Sequence, residues 1–147
     1  MTRAEIVPRR VVRPLQLEVL RPGQMLSEAD LVDEPGAFYV AVYDDIDDVV
    51  GVATFLSEPH PTRPGPNQWR LRGMASAPAR RGEGFGTAAL TRGVDEAIER
   101  GGRLIWANAR TPAVPFYAAH GFVTEGEEFD IPPIGPHYLM TRRLADD

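Results

Sequence analysis

The chain has 147 residues, of which 43% are hydrophobic and 25% are charged. This length and composition are typical of one globular domain with a sizeable core, and they exclude disordered and collagen-like chains. The formal net charge of −5 argues against nucleic acid as a partner, because neutralising a phosphate backbone requires a basic surface.

Membrane, secretory and metal-binding classes are also disfavoured. No apolar run approaches the roughly 20 residues that span a bilayer, and the first residues lack the apolar stretch of a secretory signal, so we expect a cytoplasmic protein with no membrane partner. The absence of cysteine excludes disulfides, thiolate metal ligands and a cysteine nucleophile. The histidines, His60, His120 and His137, lack metal-ligand spacing, which predicts no metal site.

The N-terminal half predicts one ambiguous segment and then a hairpin. Residues 11–23 begin with a strand-like pair of valines, but from Pro14 they favour a short helix that ends before Pro22. Two runs of β-branched and aromatic residues, 38–43 and 49–56, predict an antiparallel hairpin. We interpret the acidic run between them as a solvated turn.

A third strand is predicted at residues 68–76, after a proline-rich loop, with Trp69, Leu71 and Gly73 on one face. Glycine weakens a strand interior, so Gly73 indicates either a β-bulge or a close approach of a ligand to the backbone. A glycine-rich turn then leads into a helix at 84–100. The predicted buried face of this helix consists of Leu90, Val94, Ala97 and Ile98.

The remaining elements complete the sheet. A buried strand at 103–108 precedes a short helix that Thr111 caps and that ends near His120. The last strands are predicted at 122–124 and 137–143. Elements in this order predict a single α/β (α+β) domain with a mixed central sheet flanked by helices.

The glycine-rich turn at residues 81–87 carries the strongest functional signal. Alternate glycines let backbone N–H groups converge, and the N-terminus of the following helix adds partial positive charge, so the turn favours a phosphate group. Four arginines crowd the same region, which suggests a small anionic ligand: Arg70, Arg72, Arg80 and Arg81. The glycine spacing does not fit a dinucleotide fingerprint, and no lysine completes a P-loop. The alternative is a tight strand–helix connection without a ligand.

This turn resembles the acyl-CoA pyrophosphate motif of the GNAT acetyltransferase superfamily. The matching residues are Arg81, Gly84 and Gly86 in the pattern R-x-x-G-x-G, with residues 74–78 just before them. Glu83 departs from the family pattern, in which a basic residue is frequent, and a carboxylate beside a pyrophosphate would repel it. We expect the Glu83 side chain to point away into solvent, so that binding depends on backbone N–H groups.

A second segment supports the same resemblance. Asn108, residues 113–117 and the pair Gly121 and Phe122 are similar to the family's N…A…FY…GF segment. Residues 131–140 resemble, more weakly, an I-P-H-x-x-M segment of one GNAT subgroup. Two motifs in the expected order are much more specific than either one alone.

The resemblance implies one N-acetyltransferase domain over residues 1–147 that uses acetyl-CoA as co-substrate and no metal. Without a cysteine nucleophile, the acetyl group would pass directly to a primary amine of a small molecule or peptide. The strand would splay at Gly73, pantetheine would pair with the backbone of Met74 and Ser76, and an N–H would polarise the thioester carbonyl. The implied cofactor-binding residues are Met74, Ala75, Ser76, Arg81, Gly82, Gly84, Phe85, Gly86, Thr87 and Asn108. Asn108 could equally be a strand-end cap.

The candidate catalytic residues are Tyr117, which the resemblance supports, and His137, which is chosen for its own chemistry. Tyr117 is the candidate proton donor to the leaving thiolate, with packing beside Phe116 as the alternative. His137 is the candidate general base, because histidine titrates near neutral pH; a structural role, a substrate contact or a water chain are alternatives. We interpret the carboxylates at 125–130 as a solvated loop.

Other residues receive simpler interpretations. Trp69 and Trp106 are predicted core residues, and His120 is an exposed helix C-terminus without chemistry. Arg70 and Arg72 either line the acceptor pocket, which would indicate an acceptor with a carboxylate or phosphate, or face solvent as strand charges. Two other functions are weighed against the enzyme: a non-catalytic acyl-CoA-binding module and a nucleotide-binding structural domain. A homodimer is also left open.

Overall fold

The structure is a computed structural model that describes residues 2–145. Within that range seven strands form one sheet: β1 (Arg3–Val7), β2 (Ala37–Tyr43), β3 (Val49–Ser57), β4 (Gln68–Ser76), β5 (Leu104–Arg110), β6 (Val123–Ile131) and β7 (Gly135–Arg143). Three α-helices accompany it: α1 (Arg9–Leu20), α2 (Phe85–Glu99) and α3 (Val114–Ala119). Short 3₁₀ turns lie at Glu28–Leu31, Pro78–Arg80 and Thr111–Ala113. The predicted α+β class and mixed sheet are confirmed.

The sheet has the order β1-β2-β3-β4-β5-β7-β6, and among the described strands only β4 and β5 are parallel neighbours. These two strands pair at three positions, the last being Arg70 opposite Trp106. Beyond that position β4 continues to Ser76 and β5 to Arg110 without pairing to each other. A gap therefore opens between β4 and β5 in the middle of the sheet.

Helices α2 and α1 pack on opposite faces of the sheet. The α2 side holds the larger core, which includes Phe38, Phe55 and Leu71 from the strands. The α1 side holds a smaller cluster in which Val12 and Leu15 of the helix contact strand residues. Every one of these side chains is less than one-tenth exposed. Helices therefore cover both faces of the sheet beside the gap.

The buried face of α2 differs from the prediction at one position. Leu90, Val94 and Ala97 are buried as expected, but Ile98 is 49% exposed. The buried stripe centres on Gly93 and Ala97, so Ile98 lies at its margin and faces solvent. The predicted core positions of Trp69 and Trp106 are confirmed, at 8% and 3% exposed.

Replacing Gly93 with alanine is expected to destabilise the protein by about 1–3 kcal/mol. A Cβ at Gly93 would lie 2.1 Å from Cε1 of Phe55, which is fully buried and stacked on Phe38. This overlap outweighs the better helix propensity of alanine, about 1 kcal/mol. Thermal unfolding measures the loss, with the exposed Thr91→Ala on the same helix as the control. Equal stability of the two variants would contradict this tight contact of α2 with β3.

The N-terminal region departs most from the sequence prediction. Helix α1 begins at Arg9 rather than Pro14, so the strand-like interpretation of residues 11–12 is wrong. Pro14 lies inside the helix and is exposed, and burial of the apolar face compensates for the hydrogen bond that proline removes. Strand β1 was not predicted, because it is short and its stability comes from pairing with β2.

Three acidic or polar positions also behave differently from the prediction. The acidic segment after Phe122 is not a loop: β6 extends to Ile131 because its backbone pairs with β7. Thr111 caps no helix, since its hydroxyl donates to Glu128 at 2.7 Å. Asp44 is only 4% exposed, and it accepts hydrogen bonds from the N–H groups of Ile46 and Asp48. The buried carboxylate of Asp44 therefore forms part of the hydrogen bonding of the turn between β2 and β3.

Candidate active site

The loop that precedes α2 presents unpaired backbone N–H groups. Gly82 and Gly84 both have φ of 86°, a left-handed conformation that glycine adopts without strain. Among the described residues no backbone hydrogen bond uses an N–H of residues 81–87; the first amide that does is Ala88, which donates to Gly84 O at 3.0 Å. An N-terminus of this kind, on a helix of 15 residues, attracts an anion.

Arg80 braces this loop and neutralises Glu83. Its Nε donates to Glu83 Oε2 at 2.8 Å, and its Nη1 donates to Asp44 Oδ2 at 2.8 Å. The guanidinium also lies 5.2 Å from the ring centre of Phe85. Backbone N–H donation from Asp48, followed by the Arg80 hydrogen bond, lowers the pKa of Asp44. The Glu83 carboxylate is therefore engaged by a cation rather than left to repel an anion in the loop.

Arg81 is placed differently from its neighbour. It is exposed, and no hydrogen bond or ion pair to another residue within 2–145 holds its side chain. A guanidinium of this kind is available to an anion at the helix N-terminus, where the sequence prediction put it. Of these two adjacent arginines, Arg80 is a structural brace, whereas Arg81 has no such contact among the described residues.

A β-bulge interrupts β4 at Gly73. Gly73 and Met74 lie between the paired residues Arg72 and Ala75, whereas on β3 only Ala53 lies between their partners. Gly73 has φ of 65°, so the bulge favours glycine. The first of the two sequence interpretations, a bulge, is confirmed. At the bulge the extra residue of β4 is not paired with β3, and this part of β4 also borders the gap.

Gln16 of α1 holds the bulge, and the sequence analysis missed it. Its side-chain amide donates to Gly73 O at 3.0 Å and to Thr54 Oγ1 at 2.8 Å, while Arg13 Nη1 donates to its Oε1 at 3.1 Å. Gln16 is only 2% exposed. The available signal was a glutamine between the apolar residues Leu15 and Leu17 on the buried side of an amphipathic helix.

The Gln16→Leu substitution is expected to lower kcat/KM by about 10-fold and stability by about 1–3 kcal/mol, because it leaves the Gly73 carbonyl without its buried donor. Glu18→Leu, on the exposed side of α1, is the control. Steady-state kinetics and thermal unfolding of both variants measure the effect. Wild-type kinetics in Gln16→Leu would show that the bulge does not depend on this contact.

The gap between β4 and β5 opens into a cavity of about 440 Å³, which we call the central cavity. Its walls come from α1, β4, β5, α3 and the turn between β6 and β7. The residues singled out from the sequence that line it include Gly73, Met74, Asn108, Tyr117 and His137, together with Arg70 and Arg72. Helix α3 and strand β7 are distant in sequence from β4, so only the fold brings these side chains together.

The α2 N-terminal loop does not line the central cavity, but other residues connect the two places. Ser76, at the end of β4, and Phe116 of α3 both lie beside Gly86 in the first turn of α2. A Cβ built on Gly86 would be 3.6 Å from Ser76 Oγ and 3.5 Å from Phe116 Cζ. The predicted cofactor-binding residues therefore form one path, from the loop along β4 to the cavity.

Tyr117 is one of the buried titratable groups that line the central cavity. It is 9% exposed and packs edge-on against Phe116 and Phe122, at ring-centre distances of 5.3 and 5.6 Å. Burial raises the pKa of Tyr117 to about 12. The phenol therefore keeps its proton at neutral pH and is available as a hydrogen-bond and proton donor.

His137 lies on β7 directly opposite Arg110 of β5, and it is 4% exposed. Its Nδ1 is 2.7 Å from Gly135 O. Because a carbonyl oxygen only accepts, Nδ1 carries the proton of the neutral ring, and Nε2 keeps its lone pair. The ring stacks on Phe129 at 6.0 Å. This arrangement can accept a proton at Nε2.

The other histidines have structural contacts. The Nδ1 of His60 accepts hydrogen bonds from the N–H groups of Thr62 and Arg63, so its Nε2 donates to Glu125 Oε2 at 2.7 Å. Glu125 also accepts from Thr141 and pairs with Arg63, and these contacts lower its pKa despite the opposing effect of burial. His120 Nδ1 is 2.7 Å from Phe116 O at the end of α3.

Residues 2–145 contain neither a metal-binding cluster nor a membrane-spanning helix. No group of three or more histidine, aspartate or glutamate side chains is placed to hold a metal ion. No helix in that range has the length and apolar character needed to cross a bilayer.

Comparison with known proteins identifies the family. The acetyltransferase (GNAT) family model matches residues 10–122. The chain is 30% identical over 128 residues to the uncharacterised N-acetyltransferase YitI of Bacillus subtilis (strain 168), which covers 86% of this chain and 85% of that protein.

Solved structures show the same fold. The ribosomal-protein-S18-alanine N-acetyltransferase of Escherichia coli superimposes with a TM-score of 0.75 over 100% of this chain and 96% of its own, at 14% identity. Escherichia coli ElaA superimposes with a TM-score of 0.74 over 97% and 99% of the two chains, at 17% identity. Because these identities are low, the solved structures support the fold alone. The family match and the relative YitI also support the activity. The chain belongs to the GNAT family and is an acyl-CoA-dependent N-acetyltransferase.

Proposed function

We propose that the protein binds acetyl-CoA from the α2 N-terminal loop to the central cavity and transfers the acetyl group directly to a primary amine. The observation that carries the proposal is the path of predicted residues from the unpaired N–H groups of residues 81–87, past Ser76, to the cavity. The loop fits a diphosphate because its glycines leave open space: nothing lies within 4 Å of a Cβ built on Gly82 or Gly84.

The pantetheine arm is assigned to the unpaired edge of β4. Beyond Arg70 this strand has no partner on the β5 side, so those backbone groups of the segment Met74, Ala75 and Ser76 that point to that side are available to an extended amide chain. Asn108 borders the same gap from β5 and is a candidate contact. A donor next to the thioester carbonyl would stabilise the negative charge that develops there.

Bound acetyl-CoA supplies the acetyl group as a thioester that a neutral amine can attack. In the balanced reaction a bond forms between the amine nitrogen and the acetyl carbon, the carbon–sulfur bond breaks, the amine nitrogen loses one proton, and the leaving thiolate gains one. His137 accepts the amine proton at Nε2, and Tyr117 donates to the thiolate. The two side chains line the same cavity, as simultaneous action requires.

Direct transfer predicts a ternary complex. Because the chain has no cysteine, released CoA thiol can be followed with a thiol reagent without background from the protein. Initial rates over a grid of acetyl-CoA and amine concentrations are expected to give intersecting reciprocal plots. Parallel plots would indicate an acetylated enzyme and contradict direct transfer. The cytoplasmic location and a homodimer stay predictions.

A further inference from the structure

The central cavity is lined by an excess of positive charge. Its described lining includes six arginines: Arg9, Arg13, Arg21, Arg70, Arg72 and Arg110. The single carboxylate among the same lining residues is Glu34. This concentration is unusual in a chain whose formal net charge is −5. The cavity walls therefore create a local positive potential that the protein as a whole does not have.

Half of these arginines are already engaged by carboxylates. Arg13 Nε donates to Asp30 at 2.8 Å, and Arg9 Nε lies 3.5 Å from Glu34 Oε1. Arg70 Nη1 donates to Glu58 at 3.1 Å. Charge neutralised in this way stabilises the walls and contributes little to the recognition of a ligand.

Arg72 and Arg110 are different, because no hydrogen bond or ion pair within residues 2–145 holds either side chain. Arg72 immediately precedes the Gly73 bulge on β4, and Arg110 ends β5 opposite His137. One of the two guanidiniums therefore comes from each strand that borders the gap. Both residues are exposed, and both line the central cavity. Arg21, whose guanidinium donates to the Leu20 carbonyl at 2.8 Å, adds a third cation to the rim.

We infer that the acceptor is a small primary amine that carries an anionic group, a carboxylate or phosphonate, bound by Arg72 and Arg110. The inference rests on the proposed function and names the acceptor class of that site. A guanidinium binds either anion through two parallel hydrogen bonds, which orients as well as attracts the ligand. A volume of about 440 Å³ fits a small molecule rather than a folded protein segment.

The same charges assist the chemistry. An amine attacks only in its neutral form, and nearby guanidiniums disfavour the ammonium form because like charges repel. The anionic group of the acceptor compensates for this repulsion during binding. A polycationic amine has no such compensation, so the cavity discriminates against it.

The test is a panel of acceptors in matched pairs with and without the anionic group. L-leucine is compared with leucinamide, and 2-aminoethylphosphonate with ethanolamine, so that the two arms distinguish carboxylate from phosphonate; spermidine represents polycations. The kcat/KM of one anionic member is expected to exceed that of its neutral partner by about 100-fold. Equal values in both pairs, a preference for spermidine, or turnover of neutral amines alone would overturn the inference.

The variant Arg72→Gln/Arg110→Gln tests the two residues. Its KM for the anionic acceptor is expected to rise by about 10- to 100-fold and its KM for the neutral partner to stay unchanged, while CoA affinity is retained. Arg10→Gln removes an exposed charge of α1 that does not line the cavity, and it serves as the control. An unchanged KM in the double variant would overturn the assignment. If the wild-type protein did not bind CoA, the proposed function itself would be refuted. This outcome is distinguishable from a failure of the acceptor assignment, in which CoA still binds.

Discussion

The Gly84→Val substitution is expected to weaken CoA binding by at least about 100-fold, the scale of two lost hydrogen bonds to a charged group. Gly84 is the N-cap residue of α2 and has φ of 86°, where a β-branched residue is strained. Valine would turn the loop away from this conformation, so the N–H groups of residues 81–87 would no longer converge. Isothermal titration with CoA measures the affinity.

A matched control separates this effect from general strain. Gly101 follows the other end of the same helix, has φ of 80°, and has no atom within 4 Å of its Cβ position. Gly101→Val therefore introduces similar backbone strain at a distance from the loop and is expected to bind CoA as the wild type does. If Gly84→Val bound CoA with wild-type affinity, the loop would not be the pyrophosphate site.

The Tyr117→Phe substitution is expected to lower kcat by about 10²- to 10⁴-fold with CoA affinity retained, because it removes only the proton donor. The ring continues to fill its place between Phe116 and Phe122. Tyr43→Phe, on β2, is the control, since its ring contacts Arg3 and does not line the central cavity. A kcat within a few-fold of the wild type in Tyr117→Phe would remove Tyr117 from the mechanism.

The ionisation of Tyr117 provides an independent check. Its pKa in the folded protein is raised to about 12 by burial, above the value of about 10 in an unfolded chain. The unfolded state therefore loses the proton first, and this contribution to stability is lost as the pH rises from about 10 through about 12. Alkaline denaturation of Tyr117→Phe should lack that component. The same alkaline sensitivity in both proteins would contradict the buried state of the phenol.

The parts of the fold that local sequence determines were predictable. The hairpin of β2 and β3 depends on two apolar runs and a turn, and α2 depends on helical periodicity with glycines at both ends. The Gly73 bulge was also visible as a glycine in a strand interior. The path from the glycine loop to Tyr117 came from the family resemblance, since periodicity alone places no residue of α3 beside β4.

The features that sequence reasoning missed depend on contacts between distant segments. Arg9 N, at the start of α1, donates to Asp33 Oδ1 at 2.8 Å, and nothing near residue 9 indicates this partner. Arg80 looked like a ligand for an anion, but its role depends on Asp44 in a distant turn. The strand at residues 125–130 was interpreted as a loop because its side chains are mostly exposed, and its pairing with β7 is a tertiary interaction.

A crystal structure of the protein with bound CoA tests the central claim most directly. The pyrophosphate oxygens are expected within hydrogen-bond distance of the N–H groups of residues 82–87, with the pantetheine arm along Met74–Ser76 and the thiol facing Tyr117. CoA bound elsewhere, with the α2 N-terminal loop empty, would contradict the account.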